Sequence, residues 1–233
     1  MKPWENVDHA RSPDGTELVL ARRDDEWVVR EGGRVLMSSR MHGSEEALAS
    51  FALERVAHPR TVLIGGLGLG FTLRATLDRL GPDTRVIVAE MVAELVEWNR
   101  GPVADLAGRP LDDPRVRLQM GDVRARIGEA RSAYDAILLD VDNGPAMLNH
   151  VANGALYDTK GIRACRDALR PGGVLAVWSA GGDARYVERL ERAGFDAEVK
   201  VVPGRGSGHG GVRHVVFVAT RPAARRPAPG RAR

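Results

Sequence analysis

The 233-residue sequence has a single cysteine and no long apolar segment. Cys165 alone cannot form an internal disulfide, and this cysteine usage favours a reducing compartment, so we expect a cytoplasmic protein.

No apolar run approaches the roughly 18–20 residues that a membrane helix needs. The first residues also lack the apolar stretch of a secretory signal, so we expect no membrane partner. The histidines show no i, i+4 or H-x-H spacing, so we expect no metal site.

Positive charge is concentrated at the C-terminus. The formal net charge is +3, yet residues 221–233 carry five arginines and no acid, so the preceding residues sum to −2. Rich in proline, alanine and arginine, this tail has little to bury and is predicted to be disordered. Because the rest of the chain is slightly acidic, we do not expect a nucleic-acid partner. Binding of RNA by the arginine tail remains a testable alternative.

Short strands precede a regular alternation of strands and helices. Turn signals separate three short strands within residues 17–37, which predicts a small β-meander. From Thr61 onward the pattern predicts a Rossmann-like, doubly wound α/β fold with a mainly parallel seven-stranded sheet. The loop before the last strand is too short for a crossover helix, so that strand should pair antiparallel. We predict a β region (1–43), a catalytic domain (44–220) and a disordered tail (221–233).

Two helix boundaries can be predicted from their flanking residues. Ser44, followed by two glutamates, predicts a hydroxyl cap for a helix that runs to about Ala57. A long helix is predicted over 156–169, because the Pro-Gly-Gly sequence at 171–173 would end it.

A glycine-rich loop follows the first strand of the alternating region. Gly66, Gly68 and Gly70 have the spacing G-x-G-x-G, and Phe71 stands where a dinucleotide fingerprint has its third glycine. Glycine lets the backbone turn tightly and approach a ligand closely. The spacing is the one expected of nucleoside-methionine sites, with a purely structural turn as the alternative.

Acidic residues end the next three strands of the pattern. Ligands of such sheets bind beyond the carboxyl ends of the strands. Glu90 can accept the ribose hydroxyls there, or it is simply an acid at a helix start. Asp122, with the amide of Val123, can contact adenine, cap the following helix, or do both. Asp140 ends an apolar strand, where a carboxylate is costly to desolvate unless it meets a cation, a donor or a reacting group.

At these motifs the sequence resembles the spermidine synthase-like branch of the class I S-adenosylmethionine-dependent methyltransferase superfamily. The resemblance is carried by VLIGGLGLG (62–70), VIVAE (86–90), GDV (121–123), YDAILLDVDNGP (134–145), LYDTKGI (156–162) and LRPGGVLAVWS (169–179). It implies a nucleoside donor, either S-adenosylmethionine or its decarboxylated form. The donor-binding residues that it implies are Gly65, Gly66, Gly68, Gly70, Glu90, Met91, Asp122, Val123 and Asp140.

The resemblance also implies a catalytic acid and a small-molecule acceptor. Asp140 would receive or orient an amine, helped by Asp142. The candidate acceptor-binding residues are Asn143, His150, Tyr157 and Glu46; packing of a helix on the sheet is an equal alternative for Tyr157. The family tends to dimerise, which implies a homodimer as one option, and the sequence does not fix the oligomeric state.

Several positions depart from the family pattern. Aminopropyltransferases carry an acid in the glycine loop that gathers the donor's amine, and this chain has Gly68 there. Their second catalytic acid is replaced by Asn143, and their Tyr-His-Glu sequence by Ser-Glu-Glu at 44–46. We therefore expect methyl transfer to a small amine-type acceptor, with aminopropyl transfer from the decarboxylated donor as the alternative. A non-catalytic nucleoside-binding protein is a second alternative.

Overall fold

The computed structural model describes residues 2–12, 14–141, 144–145, 154–203 and 213–223. An N-terminal antiparallel sheet has its four strands in chain order. These strands are β1 (Glu5–Arg11), β2 (Glu17–Arg23), β3 (Glu26–Glu31) and β4 (Arg34–Ser38).

Strands and helices alternate through the rest of the described chain. The strands of this part are β5 (Thr61–Gly65), β6 (Arg85–Glu90), β7 (Val116–Met120), β8 (Tyr134–Leu139), β9 (Leu169–Ser179), β10 (Asp196–Pro203) and β11 (Arg213–Thr220). The helices are α1 (Gly43–Leu53), α2 (Phe71–Leu77), α3 (Ala93–Arg100), α4 (Val123–Glu129), α5 (Gly154–Tyr157), α6 (Thr159–Ala168) and α7 (Ala184–Arg192). Short 3-10 turns lie at Ala104–Ala107 and Pro110–Asp112.

The seven strands form one sheet in the order β10-β11-β9-β8-β5-β6-β7. Strands β5 to β9 pair in parallel, and β11 pairs antiparallel with both β9 and β10. The predicted fold class, a mainly parallel α/β sheet with an antiparallel last strand, is therefore confirmed. The strand order reverses direction between β5 and β8, which is where such sheets bind ligands.

The N-terminal sheet has one strand more than the sequence pattern predicted. Residues of β1 alternate poorly in polarity, and only Ala10 among them is buried. The strand exists because its backbone pairs with β2 from Glu5 to Arg11. A pairing of this kind leaves little trace in a single strand's own sequence.

The structure also corrects both predicted helices. Helix α1 ends at Leu53 rather than near Ala57, and its N-cap residue is His42 with no side-chain cap bond. The predicted helix over 156–169 is divided, because Asp158 caps a new helix by accepting from the Gly161 amide at 2.8 Å. Strand β9 already begins at Leu169, so the Pro-Gly-Gly sequence lies inside it.

The N-terminal sheet packs against helix α3. Leu20 and Val29 of the N-terminal sheet pack in one cluster with Leu95 and Trp98 of α3. The Trp98 indole also donates to Asp8 Oδ2 at 2.7 Å. This packing holds the β3–β4 hairpin over the glycine loop.

The predicted domain boundary and the predicted tail are not tested by the described residues. The proposed boundary at residue 43 stays a prediction, and most of the predicted tail, 224–233, lies outside the described residues. Within the described ranges, none of the helices combines the length and the apolar character needed to cross a bilayer.

Candidate functional site

Two adjoining cavities open at the carboxyl ends of the central strands. The larger cavity, of about 170 Å³, lies against the glycine loop and the ends of β6 and β7. The smaller cavity, of about 110 Å³, lies between the β3–β4 hairpin, α1, the start of α2 and β9. Both are lined by Glu31, Leu36, Met37, Gly68, Asp140 and Val141.

Gly66 fixes the course of the glycine loop at the larger cavity. Its φ is +89°, and a Cβ at this position would overlap with the carbonyl oxygen of Asp140. The Gly66 amide donates to the Ala89 carbonyl at 2.9 Å, and the Asp140 amide donates to the Gly65 carbonyl at 2.9 Å. Only glycine combines this conformation with so close an approach of two backbones.

Glu90 is buried at the end of β6 and accepts three backbone hydrogen bonds. Its Oε2 accepts from Leu67 at 2.8 Å, and its Oε1 accepts from Met91 at 2.7 Å and Val92 at 2.8 Å. Burial raises the pKa of this carboxyl, and the three backbone donors oppose that rise. A carboxylate has about four lone-pair sites, so roughly one is left for a ligand. Met91 itself is 44% exposed and lies on the cavity rim.

Asp122 caps helix α4 and also lines the larger cavity. Its Oδ1 accepts from the Arg124 amide at 2.8 Å, and its Oδ2 accepts from Arg124 Nε at 2.6 Å. The N-cap interpretation is therefore confirmed. Val123, the first residue of α4, lines the same cavity. Contact of Asp122 and Val123 with adenine stays a prediction.

Asp140 lies where the two cavities meet. It follows β8 directly and lines both cavities. The Thr72 hydroxyl, at the start of α2, donates to Asp140 Oδ2 at 2.7 Å. The predicted catalytic carboxylate therefore lies beside the glycine loop and also borders the smaller, adjoining cavity.

Glu45 is an acid of the smaller cavity that sequence reasoning missed. Burial, and then the nearby negative charge of Asp140, raise the pKa of Glu45 to about 7. The Ser44 hydroxyl donates to Glu45 Oε2 at 2.6 Å and lies 2.8 Å from His214 Nδ1.

Glu46, the neighbouring glutamate predicted from the sequence to bind the acceptor, lines neither cavity. Its side chain is 51% exposed, and its Oε1 lies 2.8 Å from His42 Nδ1. Neighbouring residues of a helix point about 100° apart, so only one of the two glutamates can face the sheet. The buried residues Leu48, Ala49 and Ala52 share a helical face with position 45, and this spacing was the available signal.

Of the other residues predicted on the acceptor side, only Tyr157 lies within the described residues. Asp142, Asn143 and His150 lie outside the described residues. Tyr157 is 3% exposed, belongs to a core cluster and lines neither cavity. Its ring meets Tyr186 edge-on, with centroids 5.9 Å apart. Packing of the helix on the sheet therefore accounts for its position. In the ranges that the structure covers, no three acids, histidines or cysteines are grouped as metal ligands.

Residues 41–183, more than half of the chain, match the spermine/spermidine synthase domain. The chain belongs to this family. A polyamine aminopropyltransferase from Nitrosomonas europaea is 36% identical over 121 residues, which are 51% of this chain and 35% of that protein. Putrescine N-methyltransferase 4 from Nicotiana tabacum is 34% identical over 135 residues, 57% of this chain and 33% of that protein. The chain thus spans about a third of the length of these relatives.

The fold of the family is found over nearly the whole chain. Spermidine synthase from Thermotoga maritima superposes with a TM-score of 0.73 at 19% identity, covering 94% of this chain and 73% of that one. The resemblance inferred from the sequence motifs is confirmed. The preference for methyl transfer is not specifically supported, because the relatives include aminopropyltransferases as well as methyltransferases.

Proposed function

We propose that this protein transfers an aminopropyl group from decarboxylated S-adenosylmethionine to a small cationic amine. The observation that carries the proposal is the joining of two cavities at Asp140. Three acids, Glu31, Glu45 and Asp140, line the smaller cavity. Carboxylates in a partly buried cavity favour a positively charged ligand, since a cation offsets the cost of their desolvation. The relatives named polyamine aminopropyltransferase support the same reaction.

The larger cavity has the features that a nucleoside donor requires. Its glycine loop follows a course that a Cβ at Gly66 would prevent, because that atom would overlap with the Asp140 carbonyl oxygen. The remaining lone pair of Glu90 would accept a ribose hydroxyl, and Asp122 with the Val123 amide would hold adenine. When bound, the donor supplies a carbon attached to a positively charged sulfur, which is a good leaving group. The protein's task is then to position the acceptor in line with that carbon.

Asp140 would hold the acceptor's amine at the junction of the cavities. The hydrogen bond from Thr72 fixes its Oδ2, so its carboxylate keeps one orientation. The amine nitrogen, once deprotonated, forms a bond to the donor carbon as the carbon–sulfur bond breaks, and the bonding electrons stay on sulfur. The attacking nitrogen gains positive charge in this step, and the carboxylate of Asp140 stabilises it.

Methyl transfer from intact S-adenosylmethionine is the second candidate, favoured by the surroundings of Gly68. A Cβ at residue 68 would lie 3.4 Å from the sulfur of Met37. The position that would gather the donor's amine is therefore occupied by glycine and covered by an apolar side chain. The match to a putrescine N-methyltransferase is consistent with this reaction.

Calorimetry of the full chain with the two donors separates the candidates. Aminopropyl transfer predicts tighter binding of decarboxylated S-adenosylmethionine, and mass spectrometry after incubation with putrescine should detect the aminopropylated amine. Tight binding of intact S-adenosylmethionine alone, with a methylated product, would overturn the first candidate. Failure to bind either donor would overturn both.

A further inference from the structure

Three side chains form a continuous hydrogen-bonded path out of the smaller cavity. Glu45 lines the cavity, the Ser44 hydroxyl donates to Glu45 Oε2 at 2.6 Å, and His214 Nδ1 lies 2.8 Å from the same hydroxyl. Ser44 belongs to α1 and His214 to β11, so the path crosses from a helix to the sheet.

The burial of these groups is consistent with proton transfer from the cavity to solvent. Ser44 is completely buried, whereas His214 is partly exposed and could exchange protons with solvent. Burial lowers the pKa of His214, which favours the neutral imidazole, the form that can accept a proton. The His214 ring meets Trp178, a residue of the cavity wall, with centroids 4.7 Å apart.

We propose that Glu45 accepts the proton released by the acceptor's amine, and that Ser44 and His214 relay it to solvent. This inference rests on the proposed transfer to an amine, and it gives the two acids different roles. Asp140 holds the nitrogen, while Glu45 takes up and releases the proton. Two acids of one site commonly divide the work in this way when their surroundings differ.

The proton balance of the relay is complete without a further reactant. The ammonium of the acceptor loses a proton to Glu45, and the nitrogen lone pair then forms the new bond to carbon. Once Glu45 is protonated, and with the His214 hydrogen on Nε2 so that Nδ1 is free, the Ser44 hydroxyl turns to His214 Nδ1. Glu45 then passes a proton to the Ser44 oxygen as the Ser44 hydroxyl proton moves to His214 Nδ1. The imidazolium releases a proton to solvent, and the Glu45 carboxylate is restored.

The charged groups around Glu45 set the pH range of the relay. Asp140 and Glu31 line the same cavity, Glu46 lies on the same helix, and His214 faces Ser44 from β11. Asp140 and Glu46 act on Glu45 in the same direction as its burial, and together they raise its pKa to about 7. A base with a pKa near the working pH is the most effective proton acceptor.

Turnover of putrescine with decarboxylated S-adenosylmethionine tests the relay. Ser44→Ala, His214→Ala and His214→Asn should each lower kcat about tenfold or more, with the KM for putrescine little changed. The asparagine variant can still bond to Ser44 but cannot relay a proton. Added imidazole should restore much of the His214→Ala activity. In Glu45→Gln the rise of kcat between pH 6 and 8 should disappear.

Matched controls separate a relay from a loss of packing. Ser50→Ala removes another serine–glutamate bond of α1, from Ser50 to Glu54 at 2.9 Å on the exposed surface. His9→Ala removes an exposed histidine 3.2 Å from Glu17. Both variants should keep full activity. Normal kcat in Ser44→Ala and His214→Asn, or a His214→Ala enzyme that imidazole does not rescue, would overturn the relay.

A measurement without turnover distinguishes failure of the relay from failure of the proposed reaction. Carboxyl carbon-13 NMR of the labelled protein follows the titration of Glu45. Ser44→Ala should raise the midpoint, since the hydroxyl stabilises the ionised form. Glu45→Gln should lower the pKa of His214, because a nearby negative charge is lost. The imidazole carbon-13 signals of His214 follow this second titration. If both titrations are unchanged, the relay is wrong even if the enzyme transfers aminopropyl groups; if they shift but no amine reacts, only the proposed function is wrong.

Discussion

The two cavities are built in different ways. In the larger cavity the decisive contacts involve backbone atoms. They are the close approach at Gly66, the three amides that donate to Glu90, and the Arg124 amide that donates to Asp122. In the smaller cavity the contacts join side chains from distant parts of the chain. Ser44 and His214, for example, are 170 residues apart.

This difference accounts for the departure from the family pattern at residues 44 and 45. A cavity shaped by backbone atoms needs glycines and strand-end acids at fixed spacings, so its motif is short and recognisable. A cavity shaped by side chains can change its ligand by single substitutions. Glu45 and the neighbouring Ser44, which depart from the family pattern, lie in and beside the smaller cavity. We therefore expect the donor to be general to the family and the acceptor to be particular to this protein.

The sharpest test of the comparison is Asp140→Asn, at the junction of the cavities. The amide keeps the shape of the carboxylate but cannot hold an ammonium, so kcat should fall about 10²–10⁴-fold. Donor affinity should change only a few fold, because the backbone contacts of the larger cavity remain. Steady-state kinetics and calorimetry measure the two effects. Thr72→Val removes only the hydroxyl that donates to Asp140 Oδ2, so kcat should fall about tenfold. A normal kcat in Asp140→Asn would show that Asp140 does not bind the amine.

Gly66→Ala should damage the larger cavity through its backbone. The new Cβ is strained at a φ of +89° and overlaps with the Asp140 carbonyl, so we expect a loss of about 3 kcal/mol in stability. Donor binding should be lost with it. Gly172→Ala is the matched control, because its φ is +82° and nothing lies within 4 Å of the added Cβ. Thermal unfolding and calorimetry compare the two; equal effects would mean that the close approach is unimportant.

The smaller cavity should make stability depend on pH. Glu45 has a pKa of about 7 in the folded protein, above its ordinary value of 4.5, so the folded state binds the proton more tightly. The free energy of unfolding should therefore fall as the pH rises from 4.5 to 7, by about 2–3 kcal/mol from this group. In Glu45→Gln the free energy of unfolding, measured with urea, should not show this decrease of about 2–3 kcal/mol. Glu54→Gln, at the C-cap of the same helix, should keep the wild-type profile.

The smallest expected effect concerns the wall that both cavities share. Gly68→Asp should improve binding of decarboxylated S-adenosylmethionine over the intact donor by about tenfold, because the new carboxylate attracts the amine of both donors but repels the carboxylate that only the intact donor carries. Gly68→Asn matches it in shape without charge, and both residues tolerate the φ of +54°. Competition calorimetry measures the preference. An identical preference in the two variants would mean that residue 68 does not contact the donor's tail.

Local patterns in the sequence were sufficient for the larger cavity. Apolar strands alternating with helices predicted the parallel sheet, and acids at strand ends predicted the positions of Glu90, Asp122 and Asp140. These predictions succeed because the carboxyl ends of parallel strands meet at one edge wherever the chain folds this way. Glycine spacing is similarly a local requirement of the backbone, visible at Gly66 without any knowledge of its neighbours.

Only the tertiary structure decided the smaller cavity. The choice between Glu45 and Glu46 depends on which face of α1 packs against the sheet, and the partner of Ser44 depends on where the last strand is inserted. Strand β1 and the division between α5 and α6 likewise arise from pairing and capping with other residues. Such contacts join segments that are far apart in sequence. The sequence by itself therefore determined the fold, the glycine loop and the strand-end acids, whereas packing decided that Glu45 lines the smaller cavity and that His214 lies beside Ser44.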